Sequence, residues 1–374
     1  MTYAVRLVES AAEREQLYRF RYDIYVDEVR FTRHADHANR LLKDDLDEIA
    51  FSFAIFEDGR VVGSLRTLYL EDVADIAPLV DKFDMAPALA AFGKAAICTT
   101  SRFMVEPSLR NGSVVFKLMR AAYAHAMQRG VRLNFGDCSP HLIPFYEHMG
   151  YRRYTAGFND SAYGYKIPIL MLARDHTHFA QIRSLLARLA QAQPDDGEAR
   201  HWFAGTYPDY VDTRSAIFLE DQAFLDLLSE RVGKDLMHHL ALLHGLEPDE
   251  AKSFLTEATL FPVKPGDLVI RMGDCDASVF VLLKGLAKVV RNLDDAVPVA
   301  MLGAGDTFGE IGFLTASPRT AHVVAETDGE VLVLTAEFME RFRKQYPAVA
   351  AKVFLNLAKE LAARLALTTT HVSS

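Results

Sequence analysis

Cysteine is nearly absent. Cys98, Cys138 and Cys275 are the three in 374 residues, and they stand far apart with no paired spacing. That excludes a disulfide framework and a zinc knuckle, and it fits a reducing cytoplasm. Long apolar runs are missing as well: no stretch approaches the roughly 20 residues that a membrane span requires. The opening MTYAVRLVES turns charged too early for a signal peptide. Positive charge is in deficit, with a formal net charge of -9, so general affinity for nucleic acid or an anionic membrane is not expected. There is no internal repeat, heptad run or low-complexity tract. A soluble, cytoplasmic protein without a transmembrane segment is the expectation.

What is present suffices for two cores, since half of the 374 residues are hydrophobic. The polar stretch AQAQPDDGEAR, Ala190 to Arg200, interrupts the helical pattern of FAQIRSLLARLA and marks a boundary. Before it, strand-like segments (Tyr3 to Val8, Phe51 to Phe56, Val61 to Leu68, Ala96 to Val105, Val131 to Gly136, Gly164 to Leu172) alternate with helical ones. That is an α/β order. After it, Phe218 to Ala258 reads as helix, Leu260 to Leu334 as short strands, and Ala336 to Leu367 as helix again. The pattern predicts an α/β domain over 1–189, a helical linker over 190–241 and a β-rich domain over 242–374.

In the C-terminal part, KPGDLVIRMGDCDASVFVLLKGLAKVV alternates apolar residues between turns at Gly266, Gly273 and Gly285, as a small antiparallel barrel or jelly roll would. FGEIGFLTASPRTA, Phe308 to Ala321, then reads as an anion site. One helical turn in GEIGF offers free amides to a phosphate, and Arg319 closes over the same anion. Glu310 beside a phosphate needs a hydrogen-bond donor of its own, which a ribose hydroxyl provides. The combination describes a nucleotide. These residues resemble the phosphate-binding cassette of cyclic-nucleotide-binding domains, and the similarity extends over roughly 242–365. The resemblance implies that Glu310 accepts from the ribose 2'-hydroxyl and Arg319 holds the cyclic phosphate. It makes Gly309 and Ile311, after Phe308, amide donors, and it puts Thr320 near phosphate and base. The effector it implies is cAMP or cGMP, with cAMP favoured. The final helix carries Ala350, Val353, Phe354, Leu357, Leu361 and Leu365 on one face. It suits a nucleotide lid or a homodimer seam. Only a short tail follows it, so a DNA-reading helix-turn-helix is not expected.

In the N-terminal part, a strand ending in FMVEP leads through SLRNGS into a helix with Val115, Leu118, Met119, Ala122 and Ala126 on one face. Such a turn can hold a pyrophosphate or a pantetheine arm. A later HLIPFYEHMGY places Tyr146 on a short helix ending at Gly150. Together these resemble the GNAT (Gcn5-related N-acetyltransferase) superfamily of acyltransferases, with a mixed α/β sheet and flanking helices. Val105, Arg110, Gly112 and Ser113 are then the pantetheine-binding turn. Its R-N-G-S-V-V sequence departs from the usual glycine pattern in a way that a carrier protein's phosphopantetheine tolerates better than CoA. YRFRYDIYVDEVRF, DDLDEIAFSFAIFEDGRVVGSLRTL and TTSRFMV are similar to stretches of acyl-homoserine-lactone synthases and N-acyl amino acid synthases. In that pattern Arg19, Asp44, Asp47, Arg66 and Arg102 match charged positions, whereas Thr99 stands where lactone synthases have glutamate.

The chemistry is an amine attacking a thioester carbonyl and expelling a thiolate. The resemblance implies Tyr146 as the acid for the sulfur, and Asp44 and Asp47 as contacts for the ammonium or its proton. Arg66 or Arg102 would take an acceptor's carboxylate, and Glu106 or a water chain is an alternative base. Each residue also has a structural reading: Tyr146 as core, KDDLDE as a solvated face, Arg102 as an inward ion pair. YRRY with Lys166 is a candidate dock for an acyl carrier protein. The expectation is a cyclic-nucleotide-regulated N-acyltransferase taking acyl-CoA or acyl-phosphopantetheine to a small amine or amino acid. A cAMP-regulated protein lysine acetyltransferase and a catalytically inactive nucleotide-responsive scaffold are the alternatives.

Overall fold

A computed structural model describes the chain except for residues 1–2, 29–34, 110–113, 161–163, 212–227, 229–235, 256–257, 296 and 373–374. The contacts divide it into two units. Unit 1 is Met1–Cys138, Phe145–Thr155 and Ile167–Thr213; unit 2 is Ser139–Pro144, Ala156–Lys166 and Arg214–Ser374.

Unit 1 is built on a mixed sheet. Its strands are β1 (Tyr3–Leu7), β4 (Phe51–Glu57), β5 (Arg60–Tyr69), β6 (Ile97–Val105), β7 (Leu133–Cys138) and β8 (Tyr151–Arg153), after a small hairpin of β2 (Ala35–Asp36) and β3 (Leu41–Leu42). β9 (Phe158–Asp160) pairs with the start of β10 (Gly164–Leu172), whose later residues join the sheet in the order β1-β4-β5-β6-β7-β10-β8. The six sequence-read strands are all present, each within about two residues of its expected ends. Hydrophobic runs explain the central ones: every residue from Val61 to Tyr69 is buried, as expected of a strand covered on both faces. The β4–β5 turn uses Asp58 and Gly59, both with positive φ, the two-residue hairpin that suits strand twist. Helix α1 (Ala11–Tyr22) starts at a capping box of Ser10 and Glu13, and α4 (Val114–Gln128) lies against β4 and β5 with its apolar face inward.

Two segments differ from the sequence reading. FAQIRSLLARLA is broken into the helices His176–Gln181 and Ala187–Ala190, with Arg183 at φ 50 between them. Within the expected linker, Gly197–Thr206 is a helix of unit 1. Asp196 caps it and binds Arg132, while Phe203 and Tyr207 join the core around Tyr154 and Leu170. The remainder of that linker falls largely outside the described residues.

Unit 2 holds two four-stranded antiparallel sheets. Their strands are β11 (Thr259–Val263), β12 (Leu268–Ile270), β13 (Val279–Lys284), β14 (Ala287–Val290), β15 (Ala300–Leu302), β16 (Thr307–Phe308), β17 (His322–Ala325) and β18 (Gly329–Leu334), in the orders β11-β18-β13-β16 and β12-β17-β14-β15. This is the expected jelly roll, and Gly266, Gly273 and Gly285 turn its corners at φ 90 to 94. Helices 248–255, 336–345 and 347–372 bury Phe254, Phe338, Phe342, Val353 and Leu357 against β13 and β18. The apolar stripe of the last helix is buried at Ala350, Val353 and Leu357 and emerges by Leu365. Among the described residues, no helix is long and apolar enough to cross a membrane, and no group of side chains could hold a metal ion.

Candidate functional sites

Unit 1 gathers the predicted charged residues on one side of β5 and β6. Asp44 caps the short helix Asp45–Glu48 in a reciprocal pair with Asp47, which turns both carboxylates toward the sheet. Arg66 Nη1 donates to Asp44 Oδ1 at 2.5 Å and to Asp47 Oδ1 at 3.1 Å, and its Nε reaches Ser101. Arg102 Nη2 donates to Asp44 Oδ2 at 2.7 Å. Asp44 and Asp47 are therefore held in ion pairs and do not form a solvated face. Burial opposes ionisation of Asp44, yet the charges and hydrogen bonds of Arg66 and Arg102 hold its carboxyl at about 2.

A third arginine completes the cluster and was missed by sequence reading. Arg21 is fully buried, donates to Asp47 Oδ1 at 2.6 Å, and reaches Ser64 and Ser52. Leu17, Arg21 and Ile24 fall at helical spacing on the buried face, a signal that was available. Arg19, chosen instead, is half exposed beside Glu15. Three guanidiniums, of Arg21, Arg66 and Arg102, thus gather on the carboxylates of Asp44 and Asp47. Arg102 is the most accessible of the three.

Arg102 owes its direction to a bulge. Ser64 faces Met104 and Arg66 faces Ser101, so Arg102 and Phe103 of β6 stand against Leu65 alone of β5, and Arg102 adopts φ 53. The neighbouring pair of strands then parts. β6 and β7 are parallel and register only at Ile97↔Leu133, Cys98↔Asn134 and Thr99↔Phe135. β6 nevertheless continues to buried Val105, and β7 to Cys138.

Phe103, next to the bulge, stacks on Phe145 and meets Tyr146 edge-on at 6.2 Å. Tyr146 lies on α5 (Ile143–Met149), is 7% exposed, and packs on Tyr151. Burial pushes the Tyr146 phenol well above its ordinary value, so it stays protonated at neutral pH. Glu106 is turned away onto Arg60. Arg152 pairs with Asp175, Arg153 with buried Glu147, and Lys166 with Ser139. Arg110, Gly112 and Ser113 lie outside the described residues.

In unit 2 the cassette is a closed loop around a guanidinium. Gly309, at φ 80, ends β16 and caps the helix Glu310–Thr315. Arg319 is 4% exposed and donates through Nη1 to Gly309 O, and through Nη2 to Asp276 Oδ2 at 2.6 Å and Ser278 O at 2.7 Å. An arginine has five N–H donors, so two remain for a ligand. A Cβ at Gly309 would lie 2.7 Å from Arg319 Nη1, which is why only glycine fits. Phe308 is buried and stacks on Phe280, Ile311 is 40% exposed, and Thr320 is exposed.

Glu310 is buried, and burial raises its carboxyl above the ordinary value. Arg364 of the last helix partners it, donating to Glu310 Oε1 at 3.0 Å and also to Thr307 O. A carboxylate has further acceptor positions, so a ribose hydroxyl can bind there with Arg364 in place. The described residues fit an anionic, hydroxyl-bearing ligand.

Residues 16–175 match the family model of the N-acyl amino acid synthase FeeM, and residues 260–346 match the cyclic nucleotide-binding domain. Glutaminase 1 of Bradyrhizobium diazoefficiens is 34% identical over 124 residues, 33% of this chain and 20% of that protein. The cyclic AMP receptor protein of Thermus thermophilus is 32% identical over 128 residues, 33% of this chain and 56% of that protein. The chain thus spans about a fifth of the first of these relatives and about half of the other. The solved structure of FeeM, an N-acyl amino acid synthase from uncultured soil microbes, aligns at 15% identity over 50% of this chain and 98% of that one, with a TM-score of 0.40. The chain thus resembles a fusion, with a FeeM-type N-acyl amino acid synthase match over 16–175 followed by a cyclic nucleotide-binding domain match over 260–346.

Proposed function

We propose that the chain is an N-acyltransferase of the GNAT type whose rate is set by a bound cyclic nucleotide. It moves an acyl group from a pantetheine thioester, carried by acyl carrier protein or CoA, to the amine of an amino acid. The observation that carries this reading is the parting of β6 from β7 beyond Thr99. Strand edges that have lost their neighbour present backbone N–H and C=O groups to an extended ligand, as an added strand would use them. A pantetheine arm has the amides to pair there. An N–H of β6 after Arg102 then polarises the thioester carbonyl.

The acceptor's carboxylate pairs with Arg102, the most accessible arginine of the cluster, which aims its amine at the carbonyl. The neutral amine attacks, the C–S bond breaks, and Tyr146 gives its proton to the departing sulfur. The phenol recovers that proton from the nitrogen of the new amide, so no covalent enzyme intermediate is needed. In unit 2 the phosphodiester takes the two remaining donors of Arg319, and Glu310 takes a ribose hydroxyl. Couplings of this kind are typically about 1–3 kcal/mol, or roughly 5- to 150-fold.

The test is incubation with long-chain acyl-CoA or acyl carrier protein and a mixture of amino acids, with and without cAMP or cGMP, read by mass spectrometry. An N-acyl amino acid whose rate of formation changes at least several-fold with nucleotide is expected. Acylated protein lysines without a small-molecule product would overturn the acceptor assignment.

A further inference from the structure

Ser139–Pro144 belongs to unit 2, and the chain re-enters unit 1 between Pro144 and Phe145, inside the helix that carries Tyr146. Within unit 2 this segment is tied at two points. Ser139 Oγ accepts from Lys166 Nζ at 2.8 Å, and His141 Nδ1 lies 3.5 Å from Asp276 Oδ1. Asp276 is the same carboxylate whose other oxygen holds the cassette's Arg319 at 2.6 Å. Ser278 donates to Asp276 Oδ1 through its backbone N–H at 3.0 Å and its hydroxyl at 2.8 Å, which fixes the carboxylate between His141 and Arg319. A small polar cavity whose lining includes Ser139, Pro140, His141, Asp274, Asp276 and Arg319 adjoins the pair. Burial disfavours the charge on Asp276, while His141 and Arg319 favour it and bring the carboxyl to about 2. It is therefore a fixed anion shared by two partners.

We propose that Asp276 and His141 relay occupancy of the nucleotide cassette to Tyr146, with His141 as the positioning residue. The inference rests on the cyclic-nucleotide reading of the cassette. A phosphodiester at Arg319 supplies the negative charge that Asp276 alone supplies in its absence. Asp276 is then released toward His141, the 3.5 Å pair tightens, and Ser139–Pro144 moves with it. Because Pro140 to Met149 is continuous helical chain, a shift at His141 is passed to Tyr146 five residues on.

The experiment compares wild type with His141→Ala and His141→Gln in three measurements, using cAMP and cGMP as probes. These are calorimetric nucleotide affinity, the ratio of acyl-transfer rates with and without saturating nucleotide, and hydrogen exchange of the 139–149 amides on adding nucleotide. The wild type is expected to show a several-fold rate ratio and altered exchange in that peptide. Both variants are expected to keep nucleotide affinity within about threefold, with a rate ratio near one and unchanged exchange. Variants that bind nucleotide and respond as the wild type does overturn the relay while leaving nucleotide regulation intact. Variants that lose nucleotide binding also overturn it, since His141 would then belong to the pocket. A wild type that binds nucleotide without any change in rate removes the regulatory reading, and the relay with it. Should His141→Ala fail to fold, His141→Gln keeps the ring's approximate volume and a polar terminus, and it carries the comparison.

Discussion

At the residue scale, each titratable group has one role that its surroundings permit. Tyr146 is kept neutral by burial, and a phenylalanine there keeps the ring that packs on Phe103 and Tyr151. Tyr146→Phe is therefore expected to lower kcat by about 10²- to 10⁴-fold with KM and melting temperature nearly unchanged, as steady-state kinetics and thermal unfolding would read. A packing role alone would predict full activity in the phenylalanine variant. Asp44 works in the opposite sense. Its carboxyl sits near 2 when folded, below the unfolded value, so the stability it contributes is present at neutral pH and is lost as pH falls through about 2. The contribution is on the order of 2 kcal/mol before discounting for its partial exposure. Asp44→Asn should lower the urea midpoint at pH 7, and the gap to wild type should narrow on approaching pH 2. A gap independent of pH would mean that Asp44 carries no charge-dependent stabilisation.

At the scale of elements, the cassette shows which features a sequence displays. FGEIGF announces itself because glycine is required where a backbone wraps a guanidinium, and Gly309 at φ 80 touches Arg319 as that spacing implies. Gly309→Ala is expected to weaken cyclic-nucleotide binding at least tenfold in calorimetry, since the new methyl group meets Arg319 Nη1 at 2.7 Å and Ser278 O at 3.0 Å. Gly266→Ala is the control: φ is 90 there but no atom lies within 4 Å, so a similar backbone strain should leave affinity near wild type. Equal losses in both variants would assign the effect to general barrel strain. The strands of unit 1 were legible for a related reason, as apolar runs bounded by turns report burial directly. Arg21 was overlooked because charge suggests solvent, although its spacing from Leu17 placed it inside. Nothing in the local pattern marks Asp276 or Arg364, whose partners lie 43 and 54 residues away in the chain. The bulge at Arg102 was equally hidden, because it is a property of register between two strands and of no single one.

At the scale of the whole molecule, the two units are threaded through one another in sequence. The chain passes between them after residues 138, 144, 155, 166 and 213, so unit 2 contains two segments that a cut at the last crossing would remove. Those segments supply specific partners to the barrel. Asn159 Oδ1 accepts from the N–H of Leu268 at 2.8 Å and its amide donates to Gly266 O at 2.9 Å, while Tyr165 donates to Pro262 O and packs on Phe261. Without them an N–H, two carbonyls and an aromatic face lose their partners, and each lost bond costs about 1 kcal/mol. A polypeptide of residues 214–374 is therefore expected to melt several degrees below unit 2 in the full chain. Saturating cyclic nucleotide should raise its melting temperature in turn, because a ligand at 100 times its Kd adds about 2.7 kcal/mol to a folded state that alone binds it. Scanning calorimetry of fragment and full chain decides it. A fragment as stable as unit 2 in the intact protein would show that the inserted segments rest on the barrel without supporting it, and the contacts of Asn159 and Tyr165 would then be energetically neutral.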